Sequence, residues 1–313
     1  MNLPILVTGS LAYDFIMDFP GKFVDNIDTT KIHNLNVSFL VERLKKHYGG
    51  TAANIAYSLA LLGQSPMILG VAGNDFNEHS QFLKDHGVDT SLIQTIETEA
   101  TALAMMITDL GDNQISAFYP GAMNYSKDLH LPNLEVAIVS ISPNVPELMI
   151  SLAKECKKTK VPYMFDPGRQ LPRLAEAEIE EGINGAKILI TNDYELGMIK
   201  KKLSLSDEDL LERSEIIVTT LADKGSLVQT KNKKFTIPPA KPLYVMDPTG
   251  AGDAYHAGFL SGYLSGKSLE TCGKMGAVTA CYAIEKYGTT SHYFTQKDFI
   301  QRYEENFGEK LEL

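Results

Sequence analysis

Short apolar runs alternate with amphipathic stretches along most of the chain. Leu3–Val7 ends at Thr8-Gly9-Ser10 and reads as a buried strand entering a turn. Ala52–Leu62 carries apolar residues at helical spacing and stops at Gly63. Met67–Val71 predicts another buried strand, and Asn77–His86 a helix that stops at Gly87. Val136–Ser140, Pro162–Phe165, Lys187–Ile190 and Ile216–Thr220 predict further strands, with helices at Val145–Lys157, Asp193–Lys202 and Asp207–Arg213. Strands that are apolar throughout are buried on both faces. Alternating with helices, they predict an α/β fold with a mainly parallel central sheet flanked by helices.

Two regions break the rhythm. Asp14–Phe19 and Leu35–Leu40 carry strand-like residues around a polar loop with Pro20 and Gly21. Thr101–Thr108 and Gln114–Tyr119 form a hairpin pattern around Leu110-Gly111-Asp112-Asn113. These four segments predict a small inserted β-sheet, a lid drawn from residues 12–45 and 100–122 that reaches over a site. No linker or repeat separates the pieces, so residues 1–313 are read as one domain.

Composition narrows the function. With 44% apolar residues a large core is expected and disorder is not. A formal charge of −10 repels polyanions, so nucleic acid is not expected as a partner, and a phosphorylated ligand needs a local site of backbone N–H groups or a cation. Cys156, Cys272 and Cys281 fit neither a CxxC pair nor a zinc set and read as reduced cysteines of a cytoplasmic protein. The first residues read as a strand rather than a signal peptide, and no apolar run is long enough to span a bilayer.

The densest chemical signal is Met246-Asp247-Pro248-Thr249-Gly250-Ala251-Gly252-Asp253-Ala254, followed by a helical pattern. Gly250, Ala251 and Gly252 let the backbone turn tightly, so successive N–H groups can face one concavity at the positive end of a helix. Asp253, in the first turn, is placed to stay ionised and accept a proton. A base beside an anion hole suits phosphoryl transfer. The plainer alternative, a Gly-rich turn with a capping Asp, is outweighed by the length of the string. Two other patterns are set aside. Gly262–Ser268 lacks Walker A spacing and lies at a helix end, and no G-x-G-x-x-G follows the first strand.

This string resembles the C-terminal signature of the ribokinase-like, or PfkB, carbohydrate kinase family. Tyr48-Gly49-Gly50-Thr51-Ala52-Ala53-Asn54 resembles its G-G-x-x-x-N signature, Thr191–Glu195 its N-x-x-E element and Thr219–Gly225 its nucleotide-binding strand and loop, all in the family's order. The resemblance implies a ribokinase-like fold and an ATP-dependent phosphotransferase with an alcohol acceptor. It makes Asp253 the catalytic base and Gly250, Ala251 and Gly252 the anion hole. It assigns Asn192, Thr220 and Gly225 to ATP, and Glu195 to Mg²⁺ through water. Asp14, Gly50 and Asn54 would hold acceptor hydroxyls, and Asp247 and Thr249 would form a K⁺ loop with Tyr287–Ser291. The plainer roles here are helix caps for Asn54 and Asn192 and a surface charge for Asp14.

Asp18–Phe23, Val37–Val41, Ala117–Met123 and Asp166–Gln170 further resemble bacterial adenosine kinases of the mycobacterial type. That likeness adds Ser10, Ser38, Phe118, Arg169 and Gln170 to the acceptor site, with Phe118 or Phe39 as an apolar wall for a purine. It implies adenosine as acceptor and AMP as product. Two departures keep a sugar kinase acting on ribose, fructose or a sugar acid as the alternative. Ala104 stands where that subgroup has an aromatic residue, and Arg169 where it has a neutral amide. A non-catalytic nucleotide-binding regulator is opposed by the intact Asp253 string. The lid strands carry Phe15, Ile16, Phe19, Phe39, Met105, Phe118 and Tyr119, more apolar surface than a thin sheet covers alone, so a homodimer through the lid is expected.

Overall fold

The computed structural model describes residues 3–27, 36–111 and 113–313. The chain enters through β1 (Ile5–Thr8), crosses to β2 (Ala12–Asp18) and β3 (Arg43–Gly49), and returns through α1 (Thr51–Leu61). Next come β4 (Pro66–Gly73), α2 (Asn77–Asp85), β5 (Asp89–Ile96), β6 (Ala102–Thr108) and β7 (Gln114–Tyr119). They are followed by β8 (Ile138–Ile141), α3 (Pro146–Thr159), β9 (Tyr163–Phe165), α4 (Glu176–Ile183), β10 (Ile188–Asn192), α5 (Asp193–Leu203) and α6 (Asp207–Arg213). The chain ends with β11 (Ile216–Thr220), β12 (Ser226–Gln229), β13 (Lys234–Ile237), α7 (Ala251–Leu264), α8 (Leu269–Ile284) and α9 (Gln296–Phe307).

The large sheet has the order β13-β12-β11-β10-β9-β8-β1-β4-β5. From β11 to β5 every pairing is parallel, and β12 and β13 add an antiparallel edge. Strand alternation divides the core. Ile5, Val7, Ile188 and Ile190 point into the layer that holds α1, α7 and α8, while Leu6, Val139, Phe165 and Leu189 point into the layer of α3 and α4. In the first layer α7 and α8 approach closely because Gly258 lies against Met275, Gly276 and Thr279 with no room for a Cβ. The continuous apolar strands thus have the fold expected of them, and the central pairing is parallel as read.

The second sheet has the order β3-β2-β6-β7 and forms the lid. It corrects one expectation: the partner of β2 is Arg43–Gly49, not Leu35–Leu40. Residues 36–40 are irregular, Leu35 lies outside the described residues, and Phe39 instead joins an aromatic cluster with Phe19 and Phe23, each 5.0 Å away between ring centres. The sequence of β3, Arg-Leu-Lys-Lys-His-Tyr-Gly, has almost no apolar face. Its pairing is held by backbone hydrogen bonds to β2, from Ala12 opposite Gly49 to Asp18 opposite Arg43. The β6–β7 turn is tied by Asp109, whose carboxylate accepts from the N–H groups of Phe23, Gly111 and Asn113. Asp112 lies outside the described residues.

Among the described residues no helix is long and apolar enough to cross a membrane. All three cysteines are buried and unpaired.

Candidate functional site

The parallel strands end along one edge of the sheet, where open α/β sheets bind ligands. Asn192 and Thr220 are register partners at the ends of β10 and β11, and Thr8 and Ile141 end β1 and β8 beside each other. Asn192 caps α5: its Oδ1 accepts from Glu195 N–H at 2.8 Å, and Glu195 Oε2 accepts from Asn192 N–H at 2.9 Å. The capping role is therefore present, and it fixes both side chains at the sheet edge. Thr220 Oγ1 lies 3.5 Å from the Thr191 carbonyl. Gly225, at φ 86°, ends the turn that leads into β12 and lies against the backbone at Ile237 and Pro239.

The 247–253 string meets this edge. Asp247 Oδ1 accepts from Thr249 N–H at 2.9 Å, and its Oδ2 from Gly288 N–H at 3.1 Å. Gly250 has φ 80° and starts α7. Ala251, Gly252 and Asp253 form the first turn; the Ala251 N–H donates to the Pro248 carbonyl at 3.2 Å, and the N–H groups that follow it in this turn have no helical acceptor. A Cβ at Gly252 would meet nothing within 4 Å, so open space faces the helix terminus. Gly250 packs on Thr289, whose hydroxyl donates to the Tyr48 carbonyl at 3.0 Å; the Thr290 hydroxyl donates to the same oxygen at 3.3 Å. The end of β3 is thereby tied to the segment that Asp247 holds.

Four charged or amide side chains converge above the first turn of α7. Asp253 keeps some solvent contact but is hemmed in by protein, and burial pushes its carboxyl up to about 7. The Asn54 hydrogen bond and the Arg169 charge oppose that rise, while Asp14 adds to it. Asn54 Nδ2 donates to Asp253 Oδ2 at 2.8 Å. Asp14 is 8% exposed, and burial with the nearby Asp247 charge raises it to about 6, against Arg169. Gly49 makes room for Asp14, since a Cβ there would strike the Asp14 carboxylate. Gly50 has φ 95° and no space for a side chain between Ser10 and Ala12, so α1 begins directly beneath the lid.

The remaining candidates divide. Arg169 is exposed on the turn after β9, close enough for its charge to act on both Asp14 and Asp253. Gln170 Oε1 accepts from Arg173 at 3.3 Å. Ser10 accepts from Thr51 N–H at 3.1 Å through its hydroxyl and so anchors the start of α1. Ser38 is exposed on the irregular segment before β3. Phe118 is 51% exposed. Strand register sets it in one row with Ala104, Asp14 and His47 on a single face of the lid. Phe39 is occupied by its aromatic cluster.

Sequence reasoning missed Asp166 and His256 as members of this site. Asp166 follows β9 directly and is deeply buried, which raises it well above the usual carboxylate range; Glu195 and Asp253 add to the rise. His256 Nδ1, one turn along α7 from Asp253, lies 3.5 Å from Asp166 Oδ2, and burial lowers the imidazole to about 3, so it is neutral. The available signal was an acid placed immediately after a fully apolar strand.

A helix terminus open to anions, a carboxyl titrating near neutrality in its first turn, and a β lid over the carboxyl edge of a parallel sheet together define an ATP-dependent phosphotransferase acting on an alcohol. The chain belongs to the pfkB family of carbohydrate kinases, whose pattern covers residues 6–296. It is 34% identical over 304 residues to the nucleoside kinase of Methanocaldococcus jannaschii, spanning 96% of this chain and 97% of that one. The nucleoside kinase of Burkholderia thailandensis in complex with inosine superposes with a TM-score of 0.91 at 30% identity, covering 98% of this chain and all of that one (100%). A cytidine kinase of Thermococcus kodakarensis is 28% identical over 251 residues, 78% of this chain and 90% of that one.

Proposed function

We propose that this kinase transfers the γ-phosphoryl of ATP to the 5′-hydroxyl of a nucleoside, with adenosine, giving AMP, as the leading acceptor. The observation that carries the nucleoside reading is the lid row Asp14–Ala104–Phe118. Adjacent strands are about 4.8 Å apart, so the backbone at Asp14 and that at Phe118 stand about 10 Å from each other. Asp14 and Asn54 at one end suit vicinal ribose hydroxyls, whose O–H groups the Asp14 carboxylate and the Asn54 Oδ1 can accept. The small Ala104 leaves the strip between them open to a flat base, and Phe118 offers an apolar wall. A lone pentose fills only the Asp14 end. The inosine-bound relative makes inosine the direct competitor of adenosine, and the cytidine kinase relative brings pyrimidines into the same test.

In this reading Asp253 takes the hydroxyl proton, and the Gly250, Ala251 and Gly252 backbone stabilises the transferring phosphoryl. Asn192, Thr220 and Gly225 line the nucleotide site at the sheet edge. Asp166 and Glu195 bring two sets of carboxyl oxygens beside it, a donor set that fits Mg²⁺ held through water; the ion would favour the ionised form of Asp166 and neutralise charge on the phosphates. Asp247 and Thr249, with the 287–291 segment packed on them, suit a K⁺ loop. Gly50, Ser10, Ser38 and Gln170 complete the acceptor end.

A second reading has one observation behind it. Arg169 is an exposed cation whose charge reaches both Asp14 and Asp253, which suits an acceptor carrying its own negative charge, such as a sugar acid. A panel of adenosine, inosine, cytidine, ribose, fructose and a sugar acid with ATP–Mg²⁺ separates the readings. The nucleoside reading is lost when ribose, fructose or the acid has the highest kcat/KM.

For assembly we propose a homodimer through the lid. Its outer face carries Met17, Leu44, Ile107 and Ile115 as mutual register neighbours, with Leu44 60% exposed. Ile16, Phe19 and Phe39 turn to intramolecular contacts and do not contribute to that face. Light scattering should give twice the chain mass, and Leu44→Lys with Ile115→Lys should halve it; a monomer mass for the unaltered chain removes the idea.

A further inference from the structure

The contact between Asn54 and Asp253 joins residues 199 positions apart, across the packed helices α1 and α7. Asn54 is 5% exposed. Its Nδ2 donates to Asp253 Oδ2 at 2.8 Å, while its Oδ1 is buried with no hydrogen-bond partner. An unpaired buried amide oxygen is costly and is expected to meet a donor, which here an acceptor hydroxyl supplies.

We propose that Asn54 is a positioning residue for the base as well as a sugar contact: one end of its amide holds Asp253 as a carboxylate, and the other accepts a hydroxyl of the bound acceptor. This rests on the reading of Asp253 as the base.

The groups facing Asp253 show why an uncharged donor is needed. From β2 comes Asp14, an acid that resists ionisation of Asp253, and from the end of β9 comes Asp166, whose own ionisation the Asp253 charge opposes. Arg169, on the turn after β9, acts in favour of ionisation but is exposed, so solvent and salt weaken it. His256 on α7 is neutral beside Asp166. Asn54 donates directly, from within the protein, and does not titrate. Its contribution therefore persists across the working pH range and is little screened.

The test is the pH dependence of kcat for Asn54→Ala and for the nearly isosteric Asn54→Asp. Losing a hydrogen bond to a charged group should move the acid limb upward by about one to two pH units in the alanine variant. At about pH 6.5 kcat should then fall roughly ten-fold or more, and near pH 9.5 it should return to within about three-fold of the parent. Asn54→Asp should move the limb further, because two carboxyls at hydrogen-bond distance share one proton. Carbon-13 NMR of labelled aspartate in the ligand-free enzyme, with Asp253→Asn to assign the resonance, should show the same order of titration midpoints. An unmoved limb with only KM raised, or equal profiles for the two variants, overturns the proposal. Wild-type kcat in Asp253→Asn instead overturns the underlying base assignment, so the two failures are distinct.

Discussion

Replacing Asp253 by Asn should impair the enzyme and stabilise the protein, and the second effect should depend on pH. Burial raises this carboxyl from 3.8 to about 7. The folded state therefore binds the proton more tightly than the unfolded chain does. The proton's contribution to stability is complete below the unfolded value and is lost as pH rises through the folded one. Moving a carboxyl from 3.8 to about 7 corresponds to about 4 kcal/mol at 1.36 kcal/mol for each pH unit, a ceiling given the residual solvent contact of Asp253. An amide carries no charge at any pH and can still accept from Asn54. Asp253→Asn should thus melt at the parent temperature near pH 4 and several degrees higher at pH 8. With Asp253 as the proposed base, the same variant lacks the proton acceptor, so kcat should fall on the order of 10²–10⁴-fold with little change in ATP affinity. Melting curves between pH 4 and 9, alongside steady-state kinetics, read both effects. A melting difference that does not grow with pH refutes the buried-carboxylate argument, and an unchanged kcat refutes the catalytic one.

Gly49→Ala should push the Asp14 carboxylate aside and raise the acceptor KM, with ADP binding by calorimetry unchanged. Asp247→Asn can keep only one of the two backbone hydrogen bonds that Asp247 accepts, yet it retains the proton acceptor proposed at Asp253 and should cost less kcat than Asp253→Asn when the two are assayed together. Activity should decline in acid as Asp253 and Asp14 take up protons near 7 and 6, a coupled pair seen as one broad limb in kcat/KM.

The inner parallel strands were legible because they are buried on both faces and carry uninterrupted apolar runs, as in Ile216–Val218 and Ile188–Ile190. The glycine string ahead of α7 was legible because tight turns and close approach restrict residue choice. β3 was not, since its identity lies in backbone pairing with β2 and its side chains are largely exposed. β5 and β13, at the two edges of the large sheet, share that weakness. In the candidate site, residue types pointed to Asp14, Asn54 and Asp253 separately. Their convergence, the Gly49 recess under Asp14 and the Asn54–Asp253 bond depend on helices and strands meeting across the fold, which local patterns do not encode.

The Tyr48 carbonyl, gripped by two threonine hydroxyls, closes a loop of connections from lid to helix terminus. Thr289 touches Gly250, and Asp247 holds Gly288. We expect an acceptor that draws the lid inward to reset the 288–290 segment and, through it, the phosphate-facing turn. Thermodynamic linkage then requires symmetry: whatever factor the acceptor adds to nucleotide affinity, the nucleotide must add to acceptor affinity. Titrating ADP with and without adenosine, and adenosine with and without ADP, should return one and the same coupling. An abundant nucleotide pool would accordingly hold such an enzyme primed, and scarcity of the acceptor alone would meter its flux.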